Sequence, residues 1–341
     1  MLILGVFILL ILLFLLPFLP GVAELLRKED CDPLFIPMDY TKDPRYFGKS
    51  FKYLIQQATE GLSAGQEIHE VLLSKKEKLE VVELGNIPDG AEIDHLLYVK
   101  GNLSSGGHVR LKKEAYVMGD ATVGSDNIIR ALAADGNVEV NAGTQFLRWL
   151  DANRTIEILE NCSLGISVST GSKLCLARNC HFRRLYGMPI VTGNTARAPV
   201  TVLERSFPPA ESLPPELSFV RKKERFIEPG TIITHNTVFP QDVRIGYGAI
   251  FKGDIKSYGE LVLEANVIID GNVFADGEII IGRNANIRGH ICSQKAVYIC
   301  ERTVISCPTT LKTIIGKKSV SIEQNVTIYG YVVTEGDGRT V

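Results

Sequence analysis

Histidine and cysteine are the residue types in this chain whose chemistry would be simplest to recognise from spacing. The six histidines (69, 95, 108, 181, 235 and 290) are scattered without metal-ligand spacing, and the seven cysteines form no CxxC pair. The sequence also lacks the GxxxxGK[ST], GxSxG and HExxH motifs of phosphate loops, nucleophile elbows and zinc proteases. We therefore expect no enzyme activity, no catalytic residue, no cofactor-binding residue and no metal site.

The cysteines and the charge balance argue against two further classes of protein. Cys162, Cys180, Cys292 and Cys300 lie at or beside apolar positions of the repeat described below, as small apolar side chains do in a reducing compartment. The chain has 37 basic and 39 acidic residues, so its overall charge does not indicate a nucleic-acid partner. We expect neither a disulfide framework nor nucleic-acid binding.

Apolar residues recur at a spacing of six in the second half of the chain. Val273, Ile279 and Ala285 each begin a pair of apolar residues, of which the second follows two positions later. A helix does not explain this spacing, because six residues advance about 600° around a helix. A continuous strand explains the pairs, since residues i and i+2 share a face, but not their recurrence. A short strand and a corner, repeated every six residues, explain both.

Glycine recurs with a longer period in the same region. Gly253-Asp254-Ile255, Gly271-Asn272-Val273 and Gly289-His290-Ile291 are spaced by three six-residue units. Three units make one coil of a three-faced solenoid, so the predicted fold class is all-β, a parallel β-helix. Gly253, Gly271 and Gly289 are then repeat corners, where a positive φ is tolerated. His290 takes the place of Asp254 and Asn272, which indicates a turn residue rather than a general base.

A weaker copy of the pattern occupies the first half, with Gly101-Asn102, Gly119-Asp120 and Gly136-Asn137. Between the two regions, residues 194–230 hold six of the 15 prolines, which cannot donate within a central sheet. The predicted organisation is a transmembrane anchor (1–26), a juxtamembrane segment (27–84), a first β-helix segment (85–193), a proline-rich linker or excursion (194–230), a second β-helix (231–333) and a short tail (334–341).

The N-terminal segment carries a separate signal. Residues from Leu2 to Ala23 are uncharged, which suffices for one membrane-spanning helix of about 20 residues. Basic residues follow this segment and none precedes it, so the positive-inside rule places the bulk of the chain in the cytoplasm. We expect a single-pass protein of the inner (cytoplasmic) membrane. The alternative is an exported protein with a cleaved signal, since Gly21-Val22-Ala23 resembles a cleavage site.

Three further features are open to interpretation. Residues 39–54 interleave aromatic and basic side chains, which suits either a lipid headgroup zone or an ordinary packed helix. Residues 66–84 form either a hairpin that turns at 75–77 or a helix. Trp149, the only tryptophan, lies where the repeat frame slips, and we expect it to cap or plug the core.

The Gly-Asp-Ile, Gly-Asn-Val and Gly-His-Ile series resembles the bactofilins, the bacterial polymer-forming cytoskeletal family. The resemblance covers residues 231–333 and is most specific over 251–299. It implies a right-handed β-helix that assembles end to end into filaments without nucleotide. It also implies a scaffold for cell-wall enzymes or cell shape, tied in many members to the cytoplasmic face of the membrane. The spanning helix, the second repeat region and the proline-rich break depart from the usual member.

These features favour a membrane-anchored structural scaffold. The last coil of a β-helix has unpaired backbone groups. Near it, Ile328, Tyr329, Tyr331 and Val333 form an apolar face that we expect to bind a second copy. The expected partners are other copies of the chain, the cytoplasmic membrane and cell-wall or envelope proteins.

Two alternative functions fit some of the same residues. The hexapeptide IGRNAN (281–286) matches the repeat of left-handed β-helix acyltransferases, which form trimers and use a histidine base. An exported β-helix that binds glycan would fit a cleaved signal. A saturable effect of acyl-CoA on thermal stability would favour the first, and a shortened mature N-terminus would favour the second.

Overall fold

The computed structural model describes residues 2–22, 43–60, 70–72, 77–193, 220–221 and 225–341. Within these residues, helical segments precede a β-solenoid of about 13 coils, whose 33 strands belong to one sheet. Helix α1 spans Leu2–Leu15 and is followed by a 3-10 turn at Leu16–Phe18, and helix α2 spans Tyr46–Glu60. The parallel β-helix predicted from the repeats is confirmed.

The first solenoid winds through the first half of the chain. Its described strands are β1 (Glu70–Leu72), β2 (Lys78–Val82), β3 (Gly85–Ile87), β4 (Glu92–Ile93), β5 (Leu96–Val99), β6 (Leu103–Ser105), β7 (Arg110–Val117), β8 (Ala121–Val123), β9 (Ile128–Ala134), β10 (Val138–Val140), β11 (Gln145–Ala152), β12 (Ile156–Ile158), β13 (Ser167–Thr170), β14 (Leu174–Leu176) and β15 (His181–Thr192).

The second solenoid follows after the proline-rich segment. Its described strands are β16 (Val220–Arg221), β17 (Phe226–Ile227), β18 (Ile232–Ile233), β19 (Thr237–Phe239), β20 (Val243–Ile245), β21 (Ile250–Phe251), β22 (Ile255–Ser257), β23 (Leu261–Leu263), β24 (Ile268–Ile269), β25 (Val273–Ala275), β26 (Ile279–Ile281), β27 (Asn286–Ile287), β28 (Ile291–Ser293), β29 (Ala296–Ile299), β30 (Val304–Ile305), β31 (Lys312–Gly316), β32 (Ser319–Ile322) and β33 (Thr327–Thr340).

Successive coils stack with the period that the sequence predicts. Leu261 pairs with Ile279, and Ile279 pairs with Val297, each across two parallel strands. Side chains alternate along every strand, so Leu261 and Leu263 are buried while Val262 between them is partly exposed. The inward side chains of both solenoids belong to one hydrophobic core, so the two solenoids form one rod.

The repeat glycines permit close approach between coils, which corrects the sequence interpretation. Gly271 and Gly289 do not adopt a positive φ. A Cβ on Gly271 would instead lie 2.2 Å from the carbonyl oxygen of Gly253, and a Cβ on Gly289 would lie 2.0 Å from that of Gly271. The positive φ angles lie at another corner of the coil, held by Gly230, Gly248, Asn266, Asn284, Arg302 and Asn325.

The Asn and Asp side chains that follow the repeat glycines join the coils through hydrogen bonds. Oδ1 of Asp254 accepts from the backbone N of Asn272 at 2.7 Å, and Oδ1 of Asn272 accepts from that of His290 at 2.8 Å. The first solenoid contains the same ladder, since Oδ1 of Asp120 accepts from the backbone N of Asn137 at 2.6 Å. The weaker Gly-Asx repeat is therefore a second copy of the same structural unit.

Local departures from the period explain why the repeat frame slips in the sequence. The loop 306–311 lengthens one coil of the second solenoid, so Ile305 pairs with Ile328. In the first solenoid, β-bulges shift the pairing between Leu111 and Glu114 and between Phe146 and Trp149. A bulge adds a residue to one strand without breaking the stack, so the coil persists while the sequence spacing changes.

The structure moves three of the predicted boundaries. β1 and β2 pair antiparallel, so the hairpin alternative holds and the first solenoid begins before residue 85. The second solenoid begins with β16, before the predicted start at 231. Residues 334–341 are not a tail, because β33 runs to Thr340 and pairs with β31 and β32. Residues 194–219 of the predicted linker lie outside the described residues.

The N-terminal apolar segment forms α1, whose side chains include the exposed Phe7, Leu12 and Phe14. Pro17 lies in the following 3-10 turn, where it cannot donate the backbone hydrogen bond of a continuing α-helix. In the part of the chain that the structure describes, no helix combines the length and apolar character needed to cross a membrane. The spanning helix predicted over residues 1–26 is therefore not found there.

The coil contact at Gly271 gives a direct test of the stacking. Gly271→Ala should lower the free energy of unfolding by about 1–3 kcal/mol, because the added Cβ overlaps backbone atoms of the preceding coil. Gly107→Ala is the matched control, since a Cβ there meets only the carbonyl oxygen of Ser125, at 3.3 Å. Thermal unfolding measures both, and equal midpoints for the two variants would contradict the stacking.

Candidate functional site: the ends of the two solenoids

The last coils of the two solenoids pair with each other inside the chain, and we call this contact the joint. β15 and β33 run antiparallel, and their paired residues include Leu185 with Val332 and Val191 with Thr327. β15 lies on β13 and β14, while β33 lies on β30, β31 and β32. The solenoids are therefore joined end to end, and the joint leaves the first coil of each at an outer end of the rod.

Two threonines make equivalent hydrogen bonds on opposite sides of the joint. The hydroxyl of Thr340 accepts from the backbone N of Cys180 at 2.9 Å, and it donates to the carbonyl oxygen three residues before Cys180 at 2.6 Å. The hydroxyl of Thr192 accepts from the backbone N of Val326 at 3.1 Å, and it donates to the carbonyl oxygen three residues before Val326 at 2.5 Å. The joint thus has the approximate two-fold symmetry of an interface between two like subunits.

Apolar and aromatic side chains continue across the joint. Leu185 and Val332 are fully buried and pair with each other. On the outer face, the rings of Tyr186 and Tyr331 meet edge to face with their centroids 6.3 Å apart, a favourable geometry for aromatic pairs. Hydrogen bonding and side-chain packing therefore stabilise the same contact.

The predicted self-association face lies in this joint. Ile328, Tyr331 and Val333 pair with residues of β15, and Tyr329 on the same strand is only 5% exposed. Burial raises the pKa of both tyrosines. The first solenoid of the same chain therefore occupies the edge at which a second copy was expected, and nothing in the sequence pattern distinguishes these two partners.

Among the described residues, the starting coil of the second solenoid lies at one end of the rod, and we call it the open end. It consists of β16, β17 and β18, each of which, among the described residues, pairs only with a strand of the following coil. Phe226 is 43% exposed and Ile232 is 62% exposed. Beside this coil, Nε2 of His235 is buried without a hydrogen-bond partner. The sequence pattern placed the start of the second solenoid at residue 231, so it included β18 of this coil but not β16 and β17.

The starting coil of the first solenoid ends the rod on the other side, and we call residues 77–94 the acidic end. This stretch contains six carboxylates and one lysine. The carboxylates of Glu77, Glu83 and Glu92 form exposed ion pairs with lysines of the next two coils. Antiparallel pairing with β1 covers the outer edge of β2. The two outer ends of the rod thus differ in charge and in coverage.

Helix α2 packs against β7, β9 and β11 on the outside of the first solenoid. Arg45 donates from Nε and Nη2 to the two carboxylate oxygens of Asp151, at 2.9 and 2.7 Å. Asp151 is 4% exposed and also accepts from the hydroxyl of Ser169. Its hydrogen bonds to the guanidinium raise the pKa of Arg45. Lys52 forms a second ion pair, with Asp135 at 2.8 Å.

Apolar contacts also hold α2 on the outside of the first solenoid, and we call this contact surface the seat of α2. The ring of Phe51 meets that of Trp149 at a centroid distance of 5.8 Å, and Ile55 is fully buried. A Cβ on Gly48 would lie 2.3 Å from Oδ2 of Asp151, so the helix approaches the sheet closely. Trp149 therefore packs outside the coil rather than plugging the core, and the packed-helix alternative holds for residues 43–54.

The histidine and cysteine side chains that could take part in chemistry lie within the solenoid. His290 is 7% exposed, and its Nδ1 accepts from the backbone N of Thr313 at 3.1 Å. Burial lowers the pKa of His290, so its ring is neutral at pH 7. Cys162 and Cys180 are buried thiols that donate to carbonyl oxygens of the preceding coil. Burial raises the pKa of Cys292 to about 11, so this thiol is protonated at neutral pH.

The structure also places the acyltransferase-like hexapeptide. Within residues 281–286, Asn284 adopts the positive φ of a coil corner, and Arg283 forms an exposed ion pair with Glu301 at 3.3 Å. Asn284 therefore forms a corner of the coil, and Arg283 pairs with a residue of the next coil. Among the described residues, no group of three or more His, Cys, Asp or Glu side chains is placed to hold a metal ion.

No protein-family model matches the chain, and neither a curated protein nor a solved structure matches it at a significant level. The solenoid class therefore rests on the geometry described above. The resemblance to the bactofilins remains a prediction from the repeat motifs.

The joint should hold the two solenoids together after the chain between them is cut. With a protease site inserted between residues 205 and 206, the cleaved halves should elute together. The double variant Thr192→Val, Thr340→Val leaves two buried backbone donors unsatisfied, at about 1–3 kcal/mol each, and should weaken the association at least about 30-fold. Thr327→Val is the control, because this side chain faces outward. Separation of the unmutated halves would contradict the joint.

Removal of Arg45 should release α2 from its seat. Arg45→Ala leaves the Asp151 carboxylate buried without its cation, which costs about 3–5 kcal/mol in comparable buried pairs. Because Trp149 is the only tryptophan and lies under α2, its fluorescence emission should shift to the red. Lys49→Ala is the control, since Lys49 pairs with Asp43 at the exposed start of the helix. Unchanged emission in Arg45→Ala would contradict this account of the helix seat.

Proposed function

We propose that this protein is a membrane-attached structural scaffold that self-associates through the ends of its solenoid and organises cell-envelope or cell-shape proteins. The joint is the observation that supports self-association most strongly. It shows that two like solenoid edges of this chain can satisfy their backbone groups and bury apolar side chains against each other. Among the described residues, the open end has strands with a neighbour on one side only, whereas β1 covers the edge of β2 at the acidic end.

The N-terminal segment supports attachment to a membrane. The side chains of α1 are apolar and exposed, among them Leu13 at 65% and Phe14 at 73%. Such a surface is unfavourable in water and favourable in a lipid bilayer. Because α2 is held to the first solenoid by the Arg45 and Lys52 ion pairs, attachment through α1 would hold the solenoid near the membrane surface, on the cytoplasmic side in our proposal.

The resemblance of residues 231–333 to the bactofilins supports the same proposal, including the right-handed winding that it implies. The geometry adds an independent reason. A long solenoid with a continuous dry core is a rigid spacer, because each coil is bonded to its neighbours along the whole axis. Its flat outer faces offer extended surfaces on which envelope proteins can be arranged in a row.

Self-association can be tested by sedimentation of the full chain in a density-matched detergent over a wide range of concentrations. The proposal predicts that the mass of the assembly rises with protein concentration. A single monomeric species at every concentration would contradict it. Flotation with anionic phospholipid vesicles tests the attachment: the full chain should float with the vesicles, and Leu12→Lys combined with Phe14→Lys should reduce the floating fraction.

A further inference from the structure

A row of coil corners along one side of the rod carries an excess of exposed basic residues, and we call it the basic ridge. It consists of the corners at residues 147–148, 165–166, 183–184, 335–337, 317–318 and 294–295. We propose that the basic ridge binds the headgroups of anionic phospholipids, so that the rod lies flat on the membrane. The inference rests on the proposed membrane attachment and goes beyond it, because it assigns a lipid class, a binding surface and an orientation.

The ridge begins in the first solenoid, along the border of the face that carries α2. Arg148 directly precedes Trp149, whose ring meets that of Phe51 in α2. The backbone N of Ile166 donates to the carbonyl oxygen of Arg148 at 2.6 Å, so these two corners are stacked. β13 pairs with the middle of β15 in the next coil, which places the corner at 183–184 next to that of Ile166.

The ridge continues across the joint into the second solenoid. β15 and β33 pair there, so the corners within these two strands are neighbours. The backbone N of Glu335 donates to the carbonyl oxygen of Lys317 at 3.3 Å. The following corner is stacked in the same way, because the backbone N of Lys318 donates to the carbonyl oxygen of Lys295 at 2.7 Å. At about 4.8 Å per coil, the row of stacked corners is about 24 Å long.

Basic charge is in excess along the ridge. Its acidic residues are Glu335 and Asp337, whereas its basic residues, all of them exposed, are Arg148, Arg183, Arg184, Lys295, Lys317 and Lys318. Arg148 forms an ion pair with Glu114, and Asp337 forms one with His181. In the part of the chain that the structure describes, the other basic side chains of the ridge form no ion pair. The ridge is thus positive although the whole chain has a formal net charge of −2.

The basic excess is limited to the middle of the rod. Toward the acidic end, the basic residues of the next corners all pair with glutamates, and these residues are Lys112, Lys113 and Arg130. Toward the open end, the charged residues of the next corners are acidic, namely Asp276, Glu278, Glu260 and Asp242. The ridge is therefore a bounded patch, and it includes the joint.

Apolar side chains beside the basic ones favour a lipid surface over a polyanion in solution. Within the ridge, Leu147 is 47% exposed and Ile166 is 41% exposed. The outer side of α2, on the adjoining face, exposes Tyr46, Phe47, Tyr53 and Leu54. Basic and aromatic side chains are both favoured at the level of lipid headgroups. A polyanion bound to the ridge would leave the aliphatic and aromatic side chains in water, whereas a membrane would cover them.

The orientation of the rod follows from the position of these surfaces. α2 packs across β7, β9 and β11 of successive coils, so it runs along the rod beside the ridge. A membrane that contacts both the ridge and the outer side of α2 is parallel to the rod axis. Both ends of the rod then lie in the plane of the membrane, where they are accessible to other copies, as the proposed self-association requires.

The first test compares the binding of the full chain to phosphatidylcholine vesicles with and without phosphatidylglycerol, at about 0.15 M salt. The ratio of the two partition coefficients cancels the contribution of α1, because this helix is uncharged. For the wild type the ratio should be at least about ten, since each basic residue near an anionic surface adds to the binding. Lys317→Glu combined with Lys318→Glu should lower the ratio at least about fivefold.

Arg178→Glu combined with Arg302→Glu is the matched control. Both residues are exposed, and this variant changes the net charge by the same amount. They lie on the corner row that does not border the face with α2, one full face of the coil away from the ridge. Because charges are screened over about 8 Å at this salt concentration, the wild-type ratio should be kept within about twofold. Circular dichroism checks that both variants are folded.

The second test measures the orientation of the rod. Neutron reflectometry of the full chain on a supported bilayer that contains phosphatidylglycerol gives the thickness of the protein layer. With about 13 coils at about 4.8 Å per coil, the rod is about 60 Å long, so a flat rod forms a layer thinner than this. Lys317→Glu combined with Lys318→Glu should thicken the layer, because the contact between the rod and the lipid headgroups is weakened.

The outcomes separate the inference from the proposed function. A wild-type chain that binds to neither kind of vesicle would overturn both. A ratio near one for a chain that binds to both kinds of vesicle would overturn the inference and leave the membrane attachment in place. Equal losses in the two double variants would show a response to net charge rather than to the ridge, and a layer as thick as the rod is long would show a rod that stands on one end. Either of these results would also overturn the inference.

Discussion

A coil of a β-helix can satisfy its backbone only by pairing with the coils above and below it. Every inner strand here does so, and the Gly-Asx corners allow it, because glycine lets the coils approach and the following Asn or Asp accepts a backbone N–H from the next coil. The same requirement leaves every terminal coil with unmatched groups. The joint between β15 and β33 resolves this problem at two ends at once, and the remaining two ends define the surfaces available for assembly.

The repeat was readable in the sequence where the coils are uniform. From Phe251 to Ile299 each coil has the same length, so inward residues recur at a constant spacing and the solenoid follows from the pattern alone. In the first half, the bulges at Leu111 and Phe146 change that spacing without changing the fold. The period was therefore recognisable there, while the register and the start of the solenoid were not.

The spacing of apolar residues does not reveal the contacts that matter most for the proposed function. The joint connects residues far apart in the chain through backbone bonds, which any apolar strand edge can make, so its partner cannot be inferred from side-chain spacing. The seat of α2 depends on Asp151, a carboxylate in a position that looks like an ordinary strand residue until Arg45 is placed beside it. The stretch between Leu2 and Ala23 reads as one long apolar segment, whereas in the described structure a 3-10 turn at Leu16–Phe18 interrupts the α-helix after Leu15.

The central claim is that two solenoids with opposite chain direction form one continuous rod. Pulsed electron spin resonance can measure its length between labels at Leu84 and Tyr247, which are exposed in coils near the two outer ends. At about 4.8 Å per coil over about 13 coils, the account predicts a narrow distribution on the order of 60 Å. A distance near half that value, as two solenoids lying side by side would give, or a broad distribution from independently moving halves, would contradict it.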